Sequence, residues 1–172
     1  MFLAKCVNIV QDEKFNIKLF GVKIMAVQTS TGTLFAIVAA EPATIDQAGF
    51  AALTFVDVGE VTDVAEYGAD TSVVTHQPLA TGVVEKFKGF VNYGSSTVSF
   101  GRDTTDAGQA LLLSGSDGIN KNVRHSVRVT YQNGDLDYFT CKVFSFKKVP
   151  GSADAIVTAT SNIEIESVIV EA

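Results

Sequence analysis

Tryptophan is absent from this chain, and its 172 residues hold only three prolines, two methionines, two cysteines and two histidines. Each shortage removes a class of function. The two cysteines, Cys6 and Cys141, lie too far apart in sequence for a paired CxxC site, and two are too few for a dense disulfide framework. Cys141 sits in an apolar stretch and reads as a small core residue. His76 and His125 have no Cys, His or carboxylate at metal-ligand spacing, so no zinc site is expected. A Gly-x-Ser-x-Gly nucleophile elbow and a glycine-rich phosphate loop are both missing. Gly115-Ser116-Asp117-Gly118 reads as a helix-ending loop, and Asp117-Gly118 lacks the ligand spacing of a calcium loop. No catalytic, cofactor or metal residue is assigned, and nothing in the chain calls for an enzyme.

Long apolar runs are lacking too. None approaches the roughly 20 residues that span a bilayer, and the N-terminal stretch has no continuous apolar segment or small-residue cleavage site. A soluble protein is expected, without a membrane partner. Basic charge is short: 13 Lys and Arg face 19 Asp and Glu, a net of −6. Residues 1–24 hold four Lys against one Asp and one Glu, leaving nine basic and 17 acidic residues from Met25 onward. Such a surface does not grip phosphate backbones. Lys86-Phe87-Lys88 is the only basic-aromatic cluster and reads as a strand edge whose charges discourage unwanted pairing.

The 47% hydrophobic content suits one ordinary domain that buries about two thirds of its unfolded surface. β-Propensity and alternation predict a short strand at Thr33–Val38, a loose helical turn within Thr44–Ala52, and strands at Leu53–Val64 and Gly94–Phe100. Gly59 marks a local weakness or bulge in the second of these. Val123–Tyr131 and Leu136–Phe146 predict a hairpin turning at Asn133-Gly134. Val127, Val129 and Tyr131 share parity with Phe139, Cys141 and Val143, so the turn must hold an odd number of residues. A three-residue loop with a left-handed Gly134 is expected. Pro150-Gly151 ends that strand, and a last strand follows at Ser161–Val170. One helix is expected at about 104–113, capped by Asp103 or Asp106, with Gln109 completing a capping box. Glu66 to Lys88 reads as a long loop, yet Val73, Val74, Leu79, Val83 and Val84 make it too apolar for a solvated linker. It is expected to dock on a neighbour. An extra hairpin of Thr71–Thr75 with Gly82–Phe87 is the alternative, and both hold if the hairpin projects.

The Val-Gly-Glu-Val-Thr-Asp run at Val58–Asp63, the Asp-Ala-Gly-Gln-Ala-Leu-Leu helix from Asp106 and the Tyr131-Gln132-Asn133-Gly134-Asp135 turn, in that order, resemble the tail tube (major tail) proteins of long-tailed phages. The resemblance runs from Met25 to the C-terminus. It implies a mainly β, antiparallel sandwich or barrel-like domain over residues 25–172, and it makes Met25 the expected start. Codons for Gly21-Val22 can carry a ribosome-binding signal at a short spacing ahead of Met25. The alternative is a genuine extension, with strands Lys5–Val10 and Phe15–Val22.

The resemblance further implies self-assembly into homohexameric rings that stack as a hollow tube in the virion tail, assembled in the host cytoplasm. Expected partners are a tape-measure protein in the lumen, a tail terminator and tail-tip or baseplate proteins, and DNA passes through without specific binding. Carried onto this chain, it puts the ring-stacking contact at Asp70, Thr71, Val73, Val74, His76, Pro78 and Leu79 and extends that loop to Ala80. Asp57, Glu60 and Asp63 are the lumen-lining candidates, an acidic wall that would repel DNA. Two other readings stay open: a tube protein like that of type VI secretion, and a monomeric β-sandwich binding or baseplate module. The second lacks the aromatic-lined recess that sugar binding needs.

Overall fold

The computed structural model describes residues 27–120 and 122–172. The expected start at Met25 and the strand pair expected before it lie outside these residues. Along the chain run β1 (Leu34–Val38), α1 (Gln47–Ala51), β2 (Val56–Asp57), β3 (Val61–Val64), β4 (Asp70–His76), β5 (Glu85–Asn92), β6 (Ser95–Gly101), α2 (Ala107–Gly115), β7 (His125–Thr130), β8 (Leu136–Val149), β9 (Thr158–Ile165) and β10 (Val170–Glu171). No helix among the described residues is long and apolar enough to cross a membrane.

Period-two alternation builds the main sheet. In β9, Ala159, Ser161, Ile163 and Ile165 are buried while the residues between them are half-exposed, and β6 buries Ser96, Val98 and Phe100 in the same way. These side chains meet Phe35, Ile37, Val127, Val129, Phe139 and Cys141 in one core. Burying a Phe, Ile or Val side chain stabilises by about 1.5–3 kcal/mol, so this inner face is the main source of stability. Cys141 is fully buried, and desolvation pushes its thiol far above the ordinary range, so it behaves as a small core residue.

Eight strands form an antiparallel sheet with the path β2-β1-β7-β8-β9-β6-β3 and β10 added on β8. The two ends of that path, β2 and β3, are joined by Val58, Gly59 and Glu60 alone. Seven strands about 4.8 Å apart would hold the ends of a flat sheet roughly 29 Å from each other. The short connection reaches no more than about 14 Å even when fully extended. The sheet must therefore curl until its edges meet, which gives the barrel-like sandwich.

This closure overturns the expected single strand Leu53–Val64. Val56 pairs with Ile37 on one side of the barrel and Val61 with Phe100 on the other, and Glu60 takes a positive φ of 57° between them. The backbone groups in between are held elsewhere: Gly59 N–H donates to Asp106 Oδ2 at 3.1 Å, and Glu60 C=O accepts from Gly101 N–H at 2.8 Å. The last strand is also divided. Ser167 Oγ accepts the Thr140 N–H at 2.8 Å, interrupting the ladder after Ile165, and β10 resumes beside Tyr138.

Where turn chemistry was explicit, the register follows it. Val127 lies opposite Phe139 and His125 opposite Cys141. Tyr131 N–H donates to Asp135 C=O at 2.9 Å around the three-residue loop Gln132–Gly134, in which Gly134 has φ 88°.

Helix α2 starts three residues later than the expected 104–113 and ends two residues later. Asp106 caps it, accepting from Gln109 N–H at 2.7 Å, and Leu112 drops into the core. Gly108 is required by proximity, because a β-carbon there would stand 2.5 Å from Asp57 O. Gln109 completes no capping box. Its side chain is fully buried, donates to Gly59 O at 3.2 Å and Gly101 O at 2.8 Å, and accepts from Asp103 N–H at 3.0 Å and Arg102 Nη1 at 2.9 Å. One amide thus uses its full hydrogen-bonding capacity to stitch the two closing edges together. Helix α1, capped by Asp46, lies on the outer face, where Phe50 stacks on Tyr138 at 5.3 Å.

Candidate assembly surface

Strands β4 and β5 stand apart from the barrel as a two-stranded sheet, so the expected long loop is a projecting hairpin. Val74 lies opposite Phe87 and Thr75 opposite Lys86, so a hairpin forms as in the alternative reading, with its second strand at Glu85–Asn92 rather than Gly82–Phe87. β-Branched residues at Thr71, Val73, Val74 and Thr75 favour the extended chain. A register shift follows Thr71, opposite Gly89, where any side chain would collide with Ser72.

Every residue of β4 is exposed, and in β5 only Gly89 is partly covered. A strand normally buries one face; this pair buries neither. Val74 and Phe87 share one face, and Val73, Thr75, Lys86 and Lys88 share the other. The expected contact residues Asp70, Thr71, Val73, Val74 and His76 lie along β4. Pro78 and Leu79 lie at the tip, where Pro78 C=O accepts from Gly82 N–H and Leu79 is fully exposed. Lys86 and Lys88 do lie on a strand edge, that of β5.

The hairpin is rigidly rooted. Tyr67 and Tyr93, just before and just after it, pack on the barrel core. Tyr67 and Tyr131 hydroxyls lie 2.5 Å apart, and each donates to Asp137 Oδ2 at 2.7 Å. Burial first, then these bonds to its neighbours, push the Tyr67 hydroxyl far above the ordinary tyrosine range, so it remains a donor at any physiological pH. Around this knot opens a cavity of about 740 Å³. Its walls come from β3, the residues before β4, the β7–β8 turn, Ile169 and Glu171, with Gln28–Ser30 at the rim.

The three acidic candidates do not share a setting. Asp57, on β2, pairs with Arg128 at 3.2 Å beside Phe55. Glu60 occupies the strained turn at the α2 end. Asp63, on β3, lies opposite Ser99 and shares the outer face of β3, β6 and β9 with Thr97, Thr160, Asn162 and Glu164. No cluster of three or more potential metal ligands occurs among the described residues.

Two structural keys had little signature in the sequence. Gln109 read as a capping residue because its buried acceptors, Gly59 and Gly101, come from other elements. Tyr67, Tyr131 and Asp137 converge only once the barrel has formed.

No family model and no curated protein matches the sequence. Solved structures do. The chain is similar to a chain in the tail of an empty GTA particle with C6 symmetry, at 13% identity and TM-score 0.57 over 83% of this chain and 97% of that one. It is similar to the SPP1 tail tube protein at 11% identity and TM-score 0.55, over 81% and 75% of the two chains. A third likeness is to a sheath/tube terminator structure of an extracellular contractile injection system, at 8% identity and TM-score 0.60 over 87% and 99%. The antiparallel barrel with its one packed helix is the tail tube fold.

Proposed function

We propose that this protein is the subunit of a tail tube: copies form rings, the rings stack into a hollow conduit, and the work done is geometric rather than catalytic. The observation that carries this reading is the hairpin β4–β5. An isolated two-stranded hairpin is at best marginal in water. Here it exposes Val73, Val74, Leu79, Val83, Val84, Phe87, Phe90 and Val91. The surface of these eight residues is on the order of 900 Å², against about 800 Å² per partner in a standard interface. A solitary domain has no use for it. The shared fold with proteins of assembled tails and tubes points the same way.

In this reading the hairpin tip, Pro78 and Leu79, reaches the adjacent ring, six copies close each ring, and a tape-measure protein fills the lumen before DNA passes. Terminator and tail-tip proteins end the tube, which belongs to a virion tail built in the host cytoplasm. Among the acidic candidates Asp63 suits the lumen best. Its face carries small polar side chains to which a sliding polymer would not adhere, and helix α1 covers the other half of the sheet instead.

Negative-stain electron microscopy and sedimentation of purified protein test this across a concentration series. Rings and tubes that appear as concentration rises are expected. A monomer persisting at millimolar concentration would overturn the reading and favour a monomeric binding module.

A further inference from the structure

The hairpin and the cavity lie at the same end of the barrel, because the residues that root the one line the other: Tyr67, Gly68 and Ala69 lead into β4 and also form the cavity wall. A contact between surfaces at opposite ends of a subunit propagates along an axis. Complementary surfaces at the same level of a subunit are joined by a rotation, and they make a ring when that rotation closes. Charge then selects among receivers. The cavity has an apolar interior that includes Val61, Val64 and Val129. Its charged lining residues, Asp63, Glu66, Asp137 and Glu171, are all acidic. The mixed face of the hairpin carries Val73 opposite Lys88 and Thr75 opposite Lys86. The end of β8, where Val149 is exposed, carries Lys147 and Lys148 and would repel that face.

We infer that the mid-portion of the hairpin, through Lys86, Lys88 and Val73, seats in the acidic-rimmed cavity of a second copy in the same ring, leaving its tip free to meet the next ring. This rests on the tube reading above and divides the hairpin between two tasks. The lysine ammonium groups would meet the carboxylates of Glu66 and Glu171 while Val73 covers the apolar interior. Electrostatic complementarity of this kind sets partner and register. The Tyr67–Tyr131–Asp137 knot keeps the cavity open by holding its walls in place.

The test uses full-length protein and separates rings from stacks. Lys86→Glu with Lys88→Glu is expected to lower ring formation at least tenfold, leaving folded monomers. Adding Glu66→Lys and Glu171→Lys to the same chain reverses both partners and should restore rings. Leu79→Asp at the tip should leave single rings that do not stack. If the lysine reversal gives intact single rings, or if the four-residue reversal fails to restore rings while circular dichroism shows it folded, the inference is overturned and the tube reading stands. Failure of the unaltered protein to form rings would sink the tube reading instead.

Discussion

The barrel and the hairpin are made of similar residues put to opposite use. In β9 every second side chain is buried. Across β4 and β5 apolar residues are about as frequent, as valine and phenylalanine in place of alanine and isoleucine, yet they remain exposed on both faces. Propensity makes both regions extended; only the barrel supplies its own partner. The contrast shows that an apolar strand can be determined by contacts outside its own chain, and that such a strand is recognised by the failure of burial to alternate.

The most severe way to break this comparison is to remove the hairpin's far portion. Deleting Thr71–Ala80 should leave a soluble, folded protein whose melting temperature stays within about 3 °C of the parent, because a shift of that size corresponds to less than about 1 kcal/mol in a domain this large. Tube formation should vanish completely in micrographs. Tubes in the deleted protein would remove the hairpin from the assembly role without touching the fold.

The barrel is broken differently. Gln109→Leu keeps the volume but strands the carbonyls of Gly59 and Gly101 and the Asp103 N–H, each at about 1 kcal/mol or more. A loss of roughly 3 kcal/mol is expected in urea unfolding, and assembly should follow stability at fixed temperature. A variant as stable as the parent would show that the sheet edges close without this stitch.

The smallest effect concerns pH. His125 is buried, its Nδ1 has no hydrogen-bond partner, and desolvation lowers its pKa despite a bond to the Val123 backbone. A depressed folded pKa means that its stabilisation is complete above the unfolded value near 6.5 and is lost as pH falls toward the folded one. Melting temperature should therefore decline from pH 7 to pH 5, and His125→Asn should flatten that slope. A slope equal to the parent's in that variant would remove His125 from the acid response.

Much of the fold was legible because local chemistry fixed it. Asn133-Gly134 with matched parities dictated a three-residue turn and the β7–β8 register, and of the two caps the sequence offered, Asp103 and Asp106, Asp106 starts α2. The break at Gly59-Glu60 was only half legible. Glycine signalled a weakness, but the change of partner from β1 to β6 depends on barrel closure, a property of the whole sheet. The hairpin's apolar content was visible, whereas its shared end with the cavity was not, since Tyr131, Asp137 and Glu171 come from far along the chain. The ion pairs of Glu166 with Arg124 and Lys142, at 2.7 and 2.6 Å, likewise needed the fold to bring them together.

The three-residue link between β2 and β3 also sets an order in time. Both edges are synthesised before the strands that lie between them, which include β7, β8 and β9. The barrel cannot close before β9 has emerged, and Ile169 and Glu171 of the cavity wall follow it. A nascent chain therefore holds its hairpin before its cavity, and on the inference above a growing copy would offer an arm before it could receive one.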